Sequence, residues 1–149
     1  METLHTADEL RRDWDDPEPL AGGAVLVTGD RIGAVGPYDE LTVRFPTARV
    51  RSWRGVLGPA RVHEGPLPAA PSPRERIHAV LKLGAVAVLA EYAGEPGIRA
   101  AAARAGVMVL PAAYRPAITG TVRADLAVFD ADGRCLATVC AGRLVHRRA

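Results

Sequence analysis

Residues 23–36, Gly-Ala-Val-Leu-Val-Thr-Gly-Asp-Arg-Ile-Gly-Ala-Val-Gly, carry the strongest indication of the fold. Two short apolar runs, 24–28 and 31–36, are separated by Gly29-Asp30. Apolar runs with β-branched residues that flank a pair of this kind are typical of a β-hairpin. The sequence therefore predicts two antiparallel strands in the first part of the chain.

The C-terminal part of the chain also predicts β-structure. Strands are predicted at 125–130, 135–140 and 143–146, because each run is bounded by a turn signal. Cys135 and Cys140 lie at odd spacing in one strand, so their side chains should point to opposite faces and not pair with each other. We therefore predict two free thiols, as expected in a reducing cytoplasm.

The middle of the chain alternates helix and strand signals. Ser72-Pro73 is a capping residue followed by a proline, and an apolar stripe with helical spacing comes next, which predicts a helix. A continuous apolar run over 85–90 predicts a buried strand. A second helix at 98–105 and a second buried strand at 107–110 follow. This α–β–α–β order, with one crossover, predicts two parallel strands.

The remaining segments are assigned from turn residues and local patterns. Residues 1–19 hold few apolar side chains, which predicts a loosely packed lead-in with one helical turn around 7–14. Residues 38–45 predict a short helix, and 49–53 alternate like a half-buried strand. The many glycines and prolines of 54–73 predict a loop.

Three of these segments together resemble the amidohydrolase superfamily. Residues 23–36 resemble its opening hairpin, and Gly-Thr-Val-Arg-Ala-Asp-Leu-Ala-Val-Phe-Asp (120–130) resembles its return strand. Ala-Thr-Val-Cys-Ala-Gly-Arg-Leu-Val (137–145) resembles its closing hairpin. The likeness is to the small composite domain of imidazolonepropionase-like and aminodeoxyfutalosine deaminase-like members. In such enzymes the two chain ends build one β-sandwich, and a metal-dependent barrel lies between them.

The resemblance implies an α+β fold in a single domain. Residues 20–58 and 118–149 would form the β-sandwich, after the lead-in 1–19. Residues 59–117 would form a loop and an α–β–α–β insert in place of the barrel. A chain of 149 residues has the length of one ordinary domain. It is too short for a complete (β/α)₈ barrel, which needs about 200 residues or more.

The composition excludes several classes of partner. Nineteen basic and 17 acidic residues give a formal charge of +2, and the signs are mixed along the chain, so we expect no nucleic-acid-binding surface. The longest apolar run, 85–90, is too short to cross a bilayer, and the polar N-terminus carries no secretion signal. We therefore expect a cytoplasmic protein that binds neither nucleic acid nor a membrane.

The residues that bind the metal in amidohydrolases have no counterpart in this sequence. The resemblance implies a metal-activated water that cleaves C–N bonds, with the first two ligands in a His-x-His motif after an early strand. When the chain is aligned on Pro59 and Val62, the two ligand positions hold Gly65 and Leu67, and His63 falls on an aspartate position. Because a catalytic zinc needs about three protein ligands, we predict no metal and no other cofactor.

Two groups of residues remain as candidates for a site. His63 and Glu64 form the candidate catalytic pair, as acid and base or as lone ligands; the alternative is an ordinary surface loop. The candidate ligand-binding residues lie beside that loop or follow the buried strands, where ligands bind in open α/β sheets. They are Arg61, Glu91, Tyr92, Tyr114 and Arg115.

Three hypotheses about function follow. We favour an imidazolonepropionase-like composite-domain protein without a metal centre, a pseudoenzyme that acts as a non-catalytic binding or accessory protein. The alternative is a hydrolase of non-peptide carbon–nitrogen bonds whose site is rebuilt or completed by a partner. The third is a structural subunit. Because a short insert would leave apolar faces uncovered, we expect a homodimer, with a small molecule as the other partner.

Overall fold

The computed structural model describes residues 1–148, which contain thirteen strands, three α-helices and one 3-10 turn at Ala90–Tyr92. The strands are β1 (Glu2–Thr6), β2 (Glu9–Leu10), β3 (Leu20–Ala21), β4 (Gly23–Thr28), β5 (Arg31–Pro37), β6 (Arg49–Ser52), β7 (Val56–Pro59), β8 (Arg61–His63), β9 (Ala85–Leu89), β10 (Met108–Leu110), β11 (Leu126–Phe129), β12 (Cys135–Cys140) and β13 (Arg143–Arg147). The helices are α1 (Tyr38–Arg44), α2 (Pro73–Lys82) and α3 (Ile98–Ala105). None of the helices in residues 1–148 is long and apolar enough to cross a membrane.

The strands form three sheets. The first has the order β5-β4-β1-β6, and the second has the order β13-β12-β11-β7-β2-β3. The third, with the order β10-β9-β8, is parallel and belongs to the middle of the chain. The predicted α+β fold is confirmed, including the hairpin β4–β5 and the parallel pair β9–β10.

The first two sheets share one buried apolar cluster. Val25 and Val27 of β4 enter it from the four-stranded sheet, and Leu57, Leu126 and Val128 enter it from the six-stranded sheet. All five side chains are almost fully excluded from solvent. Burial of a side chain of this size contributes about 2 kcal/mol. The two ends of the chain therefore form two sheet layers over a common core.

The α–β–α–β segment packs beside this two-layered unit. β9 is buried along its whole length and lies between β8 and β10. Its core also contains Ile77 and Val80 of α2, Ile98 of α3, and Phe129 of the six-stranded sheet. Because Phe129 joins the two parts, the middle segment and the sheets share apolar contacts.

The prediction of a loosely packed lead-in is wrong. Residues 2–6 form β1, which pairs with β4 on one side and β6 on the other, and its Leu4 and His5 are buried. No helical turn forms around 7–14, since β2 lies there. The local pattern was misleading because β1 has a single aliphatic side chain. Its stability comes from two partner strands that are distant in sequence.

The predicted loop 54–73 also needs correction, because it contains β7 and β8. β7 pairs with β11 and β2, and β8 pairs with β9. Its Gly58 does not mark a turn. A Cβ at that position would lie 2.6 Å from the Trp14 ring, so the tryptophan requires a residue without a side chain. Residues 64–72 lie outside helices and strands.

The three segments that carry the resemblance meet at one corner of the molecule. A Cβ at Gly142, in the β12–β13 turn, would lie 2.0 Å from the carbonyl oxygen of Gly29, in the β4–β5 turn. The Ala124 N–H donates to the Asp30 carbonyl at 2.7 Å, and the Ala141 N–H donates to Asp125 Oδ1 at 2.9 Å. The conformations of the β4–β5 and β12–β13 turns therefore depend on contacts between these segments.

Candidate functional site

The carboxyl ends of β8, β9 and β10 lie at one edge of the parallel sheet. Ligands of open α/β sheets commonly bind at this edge. Two cavities, of about 230 and 180 Å³, lie beside the parallel sheet and share Tyr114 and Pro116. We call them the Tyr114 cavities. Glu64, which follows β8, lines the larger one, whereas Ala60, before β8, and Met108, the first residue of β10, line the smaller one. The smaller cavity therefore lies toward the amino ends of these strands, not at the edge that the sequence predicted.

The larger Tyr114 cavity brings together four of the predicted residues. Arg61, Glu64, Tyr114 and Arg115 all line it. Arg61 and Glu64 come from β8 and the residue that follows it, whereas Tyr114 and Arg115 follow β10. Their role in ligand binding stays a prediction, but their proximity is a property of the fold.

Arg61 is held by aromatic rings. Its guanidinium lies 4.1 Å from the centroid of the Phe129 ring and 4.8 Å from that of Trp14, within the range of cation–π attraction. Trp14 itself meets Phe129 edge to face, and its Nε1 donates to the Pro59 carbonyl at 2.8 Å. The charge of Arg61 therefore occupies a defined place in the cavity wall.

The remaining charges of this cavity are mixed. Arg115 forms an ion pair with Asp15, and both side chains are largely exposed. The carboxylates of Glu64 and Asp13 line the cavity together with the Arg61 guanidinium. Carboxylates accept hydrogen bonds and a guanidinium donates them. The wall can therefore satisfy a polar molecule that carries both donors and acceptors.

The smaller Tyr114 cavity combines apolar walls with one partly buried ion pair. Arg123 Nε donates to the two Asp125 carboxylate oxygens at 2.8 and 3.0 Å, and Met108 and Ile32 supply apolar surface. Partial burial, and after it the charge of Asp125, raises the pKa of the Tyr114 hydroxyl. The hydroxyl therefore stays protonated at neutral pH and can donate a hydrogen bond.

The other candidate residues lie outside these cavities. His63 is half-buried, and its Nε2 lies 2.9 Å from the Pro66 carbonyl oxygen. Glu91 and Tyr92 belong to the 3-10 turn after β9 and do not line either cavity. Of the pair His63 and Glu64, only Glu64 faces the larger cavity.

Several residues that line the Tyr114 cavities were not predicted from the sequence. Trp14, Asp13 and Asp15 belong to the segment that the sequence predicted as loosely packed. A single tryptophan in an otherwise acidic stretch was the available signal, because such a large apolar side chain normally finds a partner. Arg123 and Asp125 lie in the return-strand segment and line the smaller cavity.

The residues present do not fit an amidohydrolase metal ion. Leu67 is 6% exposed and belongs to the core beneath α2 and α3, so its position faces apolar side chains. Gly65 supplies no ligand atom, and nothing lies within 4 Å of the place a Cβ would take. Within residues 1–148, no group of three or more His, Cys, Asp or Glu side chains is arranged to hold a metal ion.

Comparison with known proteins supports the resemblance seen in the sequence. Residues 23–48 match the family model of the imidazolonepropionase-like composite domain of bacteria. The structure is similar to that of an adenosine deaminase from Xanthomonas campestris with bound zinc, at 20% identity and a TM-score of 0.52, over 78% of this chain and 36% of that one. The chain therefore shares its fold with part of this deaminase, and residues 23–48 match the composite-domain model.

The shared fold corresponds to part of each relative. E. coli guanine deaminase is similar at 13% identity and a TM-score of 0.52, over 74% of this chain and 35% of that one. The chain thus spans about a third of the length of these two enzymes. Comparison with curated protein sequences gave no significant match.

Proposed function

We propose that this composite-domain protein is a non-catalytic binding protein whose ligand is a small polar heterocycle held in the Tyr114 cavities. The observation that carries the proposal is the convergence of Arg61, Glu64, Tyr114 and Arg115 on one cavity. Gly65 and Leu67 stand where the resemblance places metal ligands, which favours binding over metal-dependent hydrolysis.

The wall chemistry supports a flat heterocycle with N–H and carbonyl groups. Glu64 accepts from a ring N–H, the Arg61 guanidinium donates to a ring oxygen or nitrogen, and the Tyr114 hydroxyl donates a further hydrogen bond. One protein with a similar fold is a guanine deaminase, which is named for a heterocycle of this kind. Cavities of 230 and 180 Å³ are smaller than drug-sized sites, which are about 300–1,000 Å³, and this favours a small ligand.

The first test measures metal and ligand binding on the same preparation. Protein purified without chelators should contain no stoichiometric Zn, Fe or Mn. A thermal-shift series with guanine, an imidazolone and hydantoin should then give at least one stabilising ligand. Stoichiometric metal that disappears in His63→Ala would instead support the alternative, a hydrolase of non-peptide C–N bonds with a rebuilt site.

The second test assigns the ligand to the Tyr114 cavities. Glu64→Gln should weaken binding about tenfold, because one charge-assisted hydrogen bond is worth about 1.5 kcal/mol or more. Glu91→Gln is the matched control, since Glu91 also follows a parallel strand but lies outside both cavities. Equal effects of the two substitutions would place the ligand elsewhere.

We also propose that the protein forms a homodimer. Within residues 1–148, β10 is the last strand of the parallel sheet and pairs on one side only, with β9. Its three side chains are half-buried. A strand edge of this kind is a template for pairing with another chain, and closed twofold dimers are the commonest oligomers.

The two cysteines support a reducing compartment as the site of action. Cys135 and Cys140 are both free and buried. Burial raises the pKa of both thiols, so both stay protonated at neutral pH. We propose a cytoplasmic setting, where free thiols of this kind persist.

A further inference from the structure

A second, separate concave surface lies between α2 and α3. Its volume is about 410 Å³, larger than either Tyr114 cavity. We call it the interhelical groove. Its floor consists of Leu81 of α2 and Ala101 and Ala105 of α3. Because the α3 side chains at these positions are alanines, no large side chain of that helix fills the space above the floor.

The rim of the interhelical groove is cationic. Arg74 and His78 of α2 and Arg104 of α3 line it and are exposed. Within residues 1–148, no carboxylate forms a salt bridge with Arg74 or Arg104. The one acidic residue of the rim, Glu75, accepts a hydrogen bond from Ser72 Oγ at 3.0 Å. The groove therefore offers an apolar floor beneath two arginines with no acidic partner.

We propose that the interhelical groove binds a small organic anion, with its apolar body on Leu81 and Ala101 and its carboxylate between Arg74 and Arg104. A carboxylate fits better than a phosphate. Phosphates favour free N–H groups at a helix N-terminus, but the Glu75 N–H at the start of α2 already donates to Ser72 Oγ. Two arginine side chains satisfy the fewer acceptor sites of one carboxylate.

The test uses three matched probes and isothermal titration calorimetry. 1-Naphthoate carries the carboxylate, 1-naphthalenemethanol is its neutral counterpart, and 1-naphthyl phosphate carries a different anionic group. Naphthoate should bind about tenfold more tightly than the alcohol, since the two exposed charge contacts together are worth about 1–2 kcal/mol. Equal affinities for naphthoate and the alcohol, or tighter binding of the phosphate, would overturn the proposal.

Arginine substitutions inside and outside the groove locate the probe. The double variant Arg74→Gln/Arg104→Gln should weaken naphthoate binding about tenfold and leave binding of the alcohol unchanged. Arg99→Gln, an exposed position of the same helix that does not line the groove, is the control. If Arg99→Gln weakens binding as much as the double variant, the attraction is a general effect of charge and the site is absent.

Filling the groove gives an independent measurement. Ala101→Phe should abolish binding of both naphthoate and the alcohol, whereas Ala103→Phe, at an exposed position, should not. Unchanged binding in Ala101→Phe would overturn the proposal. It would also be overturned if the wild type did not bind naphthoate and the Ala101→Phe variant lost the dimer, because the groove would then be an interface between two copies of the chain. The Tyr114 cavities are untouched by these changes, so failure here is distinct from failure of the heterocycle site.

Discussion

The most buried ionisable group of the four-stranded sheet is His5. Its ring lies nearly parallel to that of Trp53, with an interplanar angle of 9°, and Trp53 Nε1 donates to His5 Nδ1 at 3.2 Å. Burial, and after it the charge of Arg51, lowers the pKa of His5 to about 4. At neutral pH the imidazole is therefore neutral and accepts the indole hydrogen bond.

This histidine predicts an acid-dependent loss of stability. The unfolded chain protonates His5 near pH 6.5, and the folded chain protonates it only near pH 4. The unfolded state therefore binds more protons between these values, and the free energy of unfolding falls as the pH falls through this window, by about 3 kcal/mol. Urea denaturation at pH 7 and pH 4 should show this loss in the wild type and a smaller one in His5→Gln. His78→Gln, at an exposed position, should keep the full loss.

Alanine substitutions at two glycines can distinguish the energetic cost of backbone strain from the cost of a steric clash. Gly142 and Gly133 have nearly the same φ, +81° and +80°, but only the Cβ of an alanine at 142 would meet another atom, the Gly29 carbonyl oxygen. Gly133→Ala should lower the free energy of unfolding by about 1–2 kcal/mol, the cost of the left-handed conformation. Gly142→Ala should lower it by clearly more, because the two turns must separate. Equal losses in urea denaturation would show that this turn contact is unimportant.

At the scale of elements, the helices were predictable because their signals are local. α2 begins at Ser72-Pro73, and α3 lies between Gly97 and Gly106, which have φ values of +86° and +79°. β1 and β7 were not predictable in this way, since each depends on partner strands far along the chain. The same difference between local and distant contacts explains which site residues could be predicted. Glu64, Tyr114 and Arg115, which follow strands, were predicted from local patterns, whereas Trp14 required knowledge of the tertiary contact with Gly58.

The start of α2 provides a prediction at this scale. Ser72 Oγ accepts the Glu75 N–H at 3.2 Å and donates to the Glu75 carboxylate at 3.0 Å. Ser72→Ala should lower the free energy of unfolding by about 1 kcal/mol, since the first turn loses its cap. Ser72→Asp should retain most of the stability, because aspartate caps a helix as well as serine does. A Ser72→Asp variant as unstable as Ser72→Ala would contradict this account.

At the scale of the whole molecule, the proposed homodimer is the property most easily measured. Light scattering at micromolar concentration should give twice the chain mass of 15.7 kDa, if a second copy pairs along the edge of β10 that bonds no strand within residues 1–148. A mass of 15.7 kDa across the concentration series would contradict the proposal. Dilution that halves the mass would show a weak, reversible dimer.

The arrangement of the sheets could be predicted from the sequence only through the resemblance. Strand patterns at 23–36 and 125–146 do not by themselves state that the two ends of the chain share one core. The shared cluster and the contact between Gly29 and Gly142 provide the physical reason. Packing at such sequence separation is invisible to local propensity, because it depends on residues more than a hundred positions apart.

The pairing of β7 with β11 has a consequence for how proteins of this architecture change in size. The chain leaves the sheet at Pro59 and returns beside it at Leu126, and the Ala60 N–H donates to the Asp125 carbonyl at 3.0 Å. Residues 60–125 therefore begin and end at adjacent positions of the paired strands β7 and β11. An insert whose ends lie equally close together can therefore be exchanged at this point without a change in the register of β7 and β11, provided that the contacts of Ile118 and Ala124 with the two-layered unit are kept.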